Sequence, residues 1–231
     1  MADKEKKWLD NAKNFVAGTF PKWETETRVL PPHGIDIGPS LVSFLSALGE
    51  KNREPMFIIC SRDVRQLMKT RFSGGLYERL EEIQRSDHDV VVIDKLRGLF
   101  LIEVCYMNET QESGDSKLQR MQEMCDNAKS YFNQLKVLLK QIGIENNLLK
   151  KFFPIHFPMI AFPRIGMTGK TPQNALILYK EECQTQDAFE SWWNERIAQN
   201  SKVKKSSLGY ETYKTFLALY VLNLVLLSAK L

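Results

Sequence analysis

The spacing of apolar residues along the 231-residue chain predicts helices in its N-terminal third. Residues 4–17 and 39–50 read as helices, and residues 62–86 read as a helix that breaks at a Gly-Gly pair. The apolar side chains that recur at helical spacing in the second helix are Leu41, Phe44, Leu45 and Leu48. Residues 54–60 (EPMFIIC) predict a short strand between the second and third helices.

Two apolar runs with acidic residues at their margins follow, within residues 86–109 (SDHDVVVIDKLRGLFLIEVCYMNE). Both runs are rich in β-branched and aromatic residues and they meet at the short turn KLRG, which predicts an antiparallel hairpin. Neither run alternates cleanly between apolar and polar residues, so other parts of the protein should cover both faces. We therefore expect this hairpin to lie at the centre of a sheet.

The longest predicted helix extends from Lys117 to Ile142. Its apolar residues step by three and four along one continuous face: Leu118, Met121, Cys125, Ala128, Phe132, Leu135 and Leu139. An apolar face of this length must pack on another element, and the sheet is the expected partner.

The remaining segments complete a mixed α/β pattern. Residues 152–165 and 174–182 predict two further strands, and residues 186–199 predict a helix with Asp187 as its N-cap. The element order indicates an α/β or α+β fold with a mixed central sheet, whose antiparallel hairpin is flanked by helices.

We expect one globular domain with three regions. Residues 1–74 form an N-terminal helical region packed on the core, residues 75–200 form the α/β core, and residues 201–231 form a basic loop and an apolar helix. The terminal helix contains Asn223 and is shorter than the roughly 20 apolar residues of a membrane span, so we expect it to be buried in protein. Its abrupt end suggests that the chain was cut from a longer protein.

Composition narrows the class of protein. An apolar fraction of 43% and a charged fraction of 26% are typical of a globular protein and exclude disordered and fibrous classes. The net charge of +4 permits a polyanionic partner. The four cysteines form no Cys-x-x-Cys pair and the N-terminus does not resemble a signal peptide, which favours an intracellular location, cytoplasmic or nuclear, and argues against a zinc ribbon.

Two carboxylates in the hairpin are candidate metal ligands. Asp89 opens the first strand and Glu103 lies near the end of the second, so the antiparallel return should bring them together. Close carboxylates repel unless they share a proton or bind a cation. A hard ion such as Mg²⁺ takes one or two protein carboxylates, keeps water ligands and suits phosphodiester hydrolysis.

Plainer interpretations of the same residues stay open. Asp89 can cap backbone groups where the strand starts, and Glu103 can form a structural pair with a lysine or arginine. Cys105 can be a small core residue. The segment RIGMTGKT is not a phosphate-binding loop, because two residues separate Gly166 from Gly169 where that motif requires four.

Four features of the chain together resemble the PD-(D/E)XK, or restriction-endonuclease-like, nuclease superfamily. They are the acidic residue that opens one strand, the hairpin, the IEV that ends the next strand, and the long amphipathic helix. The resemblance covers about residues 75–195 and is closest to the nuclease-related-domain branch. It implies a nuclease that depends on Mg²⁺ or Mn²⁺, with metal ligands at Asp89 and Glu103. The superfamily motif E-x-K also supplies a lysine that positions the attacking water.

The chain departs from this motif at Cys105, which stands where the lysine is expected. A neutral thiol cannot supply the missing positive charge. Either Lys129 on the long helix supplies it, as in members whose lysine has moved to that helix, or the site has decayed and the fold binds without cutting. Some members of the superfamily add a glutamate from the helix that precedes the hairpin. Glu78 is the candidate for this glutamate, with Glu82 as the alternative. A solvated helical face also explains both residues.

The resemblance implies DNA or RNA as a partner. Lys202, Lys204 and Lys205 form a compact basic cluster that can contact phosphates or simply be a solvated loop. If the site has decayed, the chain should be an interaction or scaffold module of a larger protein and should expose an apolar patch. The C-terminal helix and the Trp192–Trp193 pair are the candidates, since we expect only one of these tryptophans to be buried.

Overall fold

A six-stranded mixed sheet with helices on both faces forms the framework of the molecule. The computed structural model describes residues 10–11, 13–14, 17–18, 22, 25–30, 39–63, 87–107, 114–141, 153, 158–167, 171–173, 175–199, 213–215 and 217–218. The predicted helix over residues 64–86 lies outside these ranges. The mixed α/β class predicted from the sequence is confirmed.

The strands follow one another across the sheet in chain order. They are β1 (Arg28–Leu30), β2 (Met56–Asp63), β3 (Asp87–Asp94), β4 (Gly98–Val104), β5 (Met159–Ala161) and β6 (Leu176–Leu178). Strands β2, β3 and β4 form an antiparallel meander, β1 is parallel to β2, and β5 and β6 continue parallel to β4. The predicted hairpin is therefore confirmed, and it lies at the centre of the sheet.

The helices are α1 (Pro39–Lys51), α2 (Gly114–Gln141), α3 (Lys180–Gln184) and α4 (Gln186–Trp193), and a π-helical turn (Asn194–Ala198) continues α4. The described residues between 10 and 18 are also helical, as are those between 213 and 218. The helices predicted over residues 39–50 and from Lys117 to Ile142 are confirmed to within three residues at each end.

Both faces of the central hairpin are covered, as its unbroken apolar runs predicted. Residues 90–94 of β3 and 98–103 of β4 are all buried. One face packs on α1 and α4, where Phe100 meets Trp193 edge to face with ring centroids 5.4 Å apart. The residues of the other face, Val91, Ile93, Leu99 and Leu101, are buried as well. The hairpin therefore has solvent access only near its two ends.

The predicted apolar face of α2 packs on the sheet. Met121, Cys125 and Ala128 are buried against Ile160 and Phe162 of the β5 segment. The stripe continues to Phe132, whose ring meets that of Phe153 edge to face with centroids 5.1 Å apart. Leu118 is partly buried, and the side chains of Leu135 and Leu139 lie outside the described part of the helix.

Both tryptophans of α4 are buried, so the expectation of one surface tryptophan is wrong. Trp193 is fully buried and Trp192 is 8% exposed. The indole N–H of Trp192 donates to the carbonyl of Ile177 at 2.8 Å, on the edge strand β6. Burial costs the indole little because its only donor has an acceptor. The pair therefore does not form an exposed apolar patch.

Several predicted boundaries are wrong for local reasons. Asp187 lies in the first turn of α4, and Thr185 is the N-cap, with its hydroxyl accepting from Ala188 N at 3.3 Å. The strand predicted over 174–182 ends at Leu178, because the Glu182 side chain accepts from the backbone of the residue before α3 and favours a helix start there.

The N-terminal part of the sheet also departs from the predictions. Strand β2 continues to Asp63, where a helix was expected from residue 62, because its pairing with β3 extends to Asp87. The short strand β1 was not predicted; it pairs with β2 and also contacts α1. The strand predicted over 152–165 is, in the described residues, limited to Met159–Ala161.

A buried ion pair stabilises the turn between β3 and β4. Asp94 is fully buried, and its carboxylate accepts from Leu96 N at 2.8 Å and Arg97 N at 3.1 Å. The Arg97 guanidinium lies 2.9 Å from Asp94 Oδ2 and also binds the carboxylate of Glu54. Burial raises the pKa of Asp94, and the neighbouring Arg97 offsets part of that rise. Gly98 follows with φ of 104°, which favours glycine.

Arg97→Ala should lower the free energy of unfolding by about 3–5 kcal/mol, because it leaves the Asp94 carboxylate buried without its cation. Asp94→Asn should cost less, since a neutral amide oxygen still accepts from both backbone donors and is easier to bury. Urea unfolding measures both. Lys51→Ala, which removes a solvent-exposed pair with Glu190, is the control and should have little effect. Equal losses for Arg97→Ala and Lys51→Ala would contradict this role for the buried pair.

Candidate functional site

Asp89 and Glu103 lie on neighbouring strands at the open end of the β3–β4 hairpin. Val90 is opposite Ile102, so one further step of the same antiparallel register places Asp89 opposite Glu103. Directly opposed residues present their side chains on the same face of a sheet. The Asp89 carboxylate also accepts from Val104 N at 2.6 Å, which holds it beside the Glu103 backbone.

The two carboxylates differ in burial. Glu103 is 6% exposed, and its backbone is in register with Ile160, which packs beneath α2. Asp89 is partly exposed. The hydrogen bond from Val104 means that Asp89 does cap a backbone donor, as the plainer interpretation predicted, and the continued register places it opposite Glu103. The two roles are compatible because a carboxylate has two oxygens.

Among its described residues, the structure brings no third acidic ligand to this pair. Among the residues that it describes, no three histidine, cysteine, aspartate or glutamate side chains are arranged to hold a metal ion. Glu78, its alternative Glu82 and the basic cluster of Lys202, Lys204 and Lys205 lie outside the described residues. Lys129 is half-buried on α2, directly after Ala128 of the sheet-facing stripe.

Cys105, at the position of the expected lysine, lies in a sulfur-rich and mainly apolar environment. Its backbone N–H donates to the Ala161 carbonyl at 2.8 Å, and its half-buried side chain packs against the cluster beneath α2. That cluster includes Met107, Met121 and Cys125, and Met124 packs at its margin. Burial raises the pKa of the Cys125 thiol to about 12, with smaller effects of Cys105 and Asp126. The structure therefore places a thiol, and not an ammonium, at this position.

An aromatic side chain and a cation meet at the same edge of the sheet. Tyr106 is 46% exposed, and the Arg164 guanidinium lies 5.3 Å from the centroid of its ring. The two residues follow the C-terminal ends of β4 and β5, which coincide because these strands are parallel. Sequence reasoning gave neither residue a role, since the pair becomes visible only when the two segments are known to be parallel neighbours.

A groove of about 410 Å³ runs beside the edge strand β6 and is separate from the hairpin carboxylates. Its walls include Met167, Ile177, Tyr179, Trp192 and Arg196. The Tyr179 hydroxyl is buried without a hydrogen-bond partner, and burial raises its pKa to about 12. The groove contains none of the residues that the sequence singled out for chemistry.

Thiol reactivity tests the placement of Cys105. At mildly alkaline pH, a disulfide-exchange reagent should modify Cys105 first, because Cys60, Cys125 and Cys183 are buried and burial raises the pKa of the last two to about 12. All four thiols should react after unfolding. Cys105→Ser should remove the fast phase and Cys183→Ser, the control, should retain it. A fast phase that survives Cys105→Ser would contradict this placement.

In the part of the chain that the structure describes, no helix combines the length and apolar character needed to cross a lipid bilayer. No protein-family model matches the chain, and no significant match was found among curated proteins or among solved structures. Its function is therefore inferred from the residues and geometry of the site.

Proposed function

We propose that this protein is a nuclease-like domain of the PD-(D/E)XK type, which binds Mg²⁺ or Mn²⁺ and hydrolyses phosphodiester bonds in DNA or RNA. The observation that carries the proposal is the position of Asp89 opposite Glu103 at the open end of a central hairpin. Two carboxylates on one face of neighbouring strands form a hard, anionic donor set.

The order of elements supports the proposal. Helix α1 precedes the antiparallel meander β2–β3–β4, and the long helix α2 then leads to β5, which is parallel to β4. Asp89 is the third residue of the second strand of this meander, and Glu103 is the last but one of the third. This is the arrangement on which the resemblance to the restriction-endonuclease-like fold was based, extended by the pairing of the strands.

The residues present fit a divalent cation. Mg²⁺ needs only one or two protein carboxylates and keeps several waters, so Asp89 and Glu103 suffice without a third acid. A hydrogen bond of 2.6 Å from Val104 N to Asp89 Oδ2 fixes the orientation of the Asp89 carboxylate. When bound, the cation would polarise the scissile phosphodiester and lower the pKa of a bound water. Glu78 is proposed as an additional ligand.

Lys129 is proposed to supply the positive charge that the motif otherwise takes from its own lysine. It is half-buried on α2, beside the stripe that packs on the β5 segment. A preorganised cation near the phosphate would stabilise the charge that develops in the transition state. Lys202, Lys204 and Lys205 are proposed to contact the nucleic-acid backbone.

A second candidate function is an inactive nuclease fold that serves as a recognition or scaffold module. The environment of Cys105 favours it, because a thiol packed against a mainly apolar cluster cannot act as the missing ammonium. Tyr213, Leu217 and Ala218 of the C-terminal helix are buried. A partner of that helix would therefore have to contact other residues of it.

Metal-dependent cleavage tests the first candidate. Wild-type protein should cleave single- or double-stranded DNA or RNA in Mn²⁺ and should fail to do so in EDTA. Glu103→Gln and Asp89→Asn should each lower the rate about 100-fold, the scale expected for loss of one preorganised electrostatic group. The Asp89→Asn substitution is not expected to disturb the fold, since an amide oxygen can accept from the same backbone donor.

Glu123→Gln is the matched control, because it removes an exposed carboxylate from α2 and should leave cleavage unchanged. Absence of cleavage on every substrate by demonstrably folded wild-type protein would contradict the nuclease proposal and leave the inactive module.

The source of the positive charge can be tested separately. Lys129→Ala should lower the cleavage rate at least tenfold if this lysine acts at the site, and Lys117→Ala on the same helix is the control. Cys105→Lys should restore cleavage to Lys129→Ala, because the half-buried position lets the ammonium reach solvent. If Lys129→Ala cleaves as fast as wild type, the assignment of Lys129 is wrong. If the wild-type protein does not cleave and Cys105→Lys does, the result would instead support a decayed site.

A further inference from the structure

The pair formed by Tyr106 and Arg164 has the chemistry of a nucleotide-binding surface. Large aromatic side chains are usually buried, yet Tyr106 is 46% exposed. The guanidinium of Arg164, also exposed, lies over its ring at 5.3 Å from the centroid. A cation at this distance is attracted by the ring and holds it in place.

The backbone that carries this pair is tied to the sheet. Directly before the tyrosine, Cys105 N donates to Ala161 O at 2.8 Å, and across the arginine, Ile165 N donates to Phe162 O at 3.1 Å. These hydrogen bonds hold the backbone beside Tyr106 and around Arg164 in place. A surface that is already organised loses less conformational entropy when a ligand binds.

The pair fits an unpaired nucleotide better than a duplex. A base that is free of its stack can lie on an aromatic ring or on a guanidinium plane, and arginine can also contact the adjoining phosphate. Bases within a duplex are stacked on one another and do not offer their faces.

Tyr106 also follows the end of β4 that carries Glu103. Tyr106 follows Glu103 by three residues, and three residues of extended chain span at most about 10 Å. Charge is complementary at this edge, since Arg164 offers a cation to the polyanionic backbone while the carboxylates offer ligands to a divalent ion.

We propose that Tyr106 and Arg164 form a stacking platform that holds an unpaired nucleotide beside Asp89 and Glu103, and that single-stranded nucleic acid is therefore the preferred substrate. The inference rests on the proposed function, because the platform serves to present the neighbouring phosphodiester to the metal site. Binding to the platform itself requires neither metal nor cleavage.

Fluorescence anisotropy in EDTA measures this binding without cleavage. Labelled single-stranded and duplex oligonucleotides of the same sequence and length are the probes. Wild-type protein should bind the single strand more tightly than the duplex. Tyr106→Ala should weaken single-strand binding about tenfold, as expected for the loss of one base–aromatic stack, and Tyr106→Phe should restore it. Because Tyr106 is at the surface, neither variant should disturb folding.

Arg164→Ala should weaken binding to both probes. It should also make the binding constant less dependent on salt concentration, by the amount expected for the loss of about one phosphate contact. Arg196→Ala is the matched control, because it removes another exposed arginine whose nearby partner is Glu195 at 3.5 Å, beside the β6 groove. It should leave the preference for the single strand unchanged.

The outcomes separate the platform from the nuclease activity. Failure of wild-type protein to bind either probe, or equal single-strand affinity of wild type and Tyr106→Ala, would overturn the platform. If metal-dependent cleavage persists in that case, only the platform is wrong. If Tyr106-dependent binding is seen without any cleavage in Mn²⁺, the platform stands as a binding surface and the nuclease activity is wrong.

Discussion

Burial of both faces of the β3–β4 hairpin is the constraint on which the rest of the structure depends. Residues 90–94 and 98–103 are all buried, so this hairpin is stable only with a strand on each side and a layer of helices on each face. Strands β2 and β5 supply the lateral pairing, α1 and α4 cover one face, and the residues of the other face are buried as well. Polar side chains of the hairpin are consequently restricted to its two ends, where solvent or another polar group can reach them.

The two ends place carboxylates in different settings. At the turn, Asp94 is paired with Arg97, which also binds Glu54, and two backbone N–H groups complete its hydrogen bonds. This is a structural use of a buried acid, and its cation is part of the chain. At the open end, Asp89 lies opposite Glu103 on one face, so two like charges share a small region. Two carboxylates on one face of neighbouring strands are the physical reason for proposing a divalent cation at this end.

The central elements could be predicted because their patterns are long and local. The stripe of α2 and the two apolar runs of the hairpin extend over many residues, and each determines its own burial. Short elements could not be predicted as well. Strand β1 is defined by its pairing with β2. Thr185, and not Asp187, is the N-cap of α4, because it is the single residue between α3 and α4. Trp192 is buried because Ile177, fifteen residues earlier, offers an acceptor for its indole.

The sequence by itself determined the mixed α/β class, the central hairpin and the long amphipathic helix, because hydrophobic periodicity is a property of neighbouring residues. It also placed Asp89 and Glu103 at the same end of the hairpin, since two strands joined by a short turn have a defined antiparallel register. Only the tertiary structure decided the environment of Cys105, which depends on the packing of α2 over β5, and the meeting of Tyr106 with Arg164. Tyr106 and Arg164 lie more than fifty residues apart in the chain, and the geometry of their contact follows from the parallel pairing of β4 and β5, which no local pattern encodes.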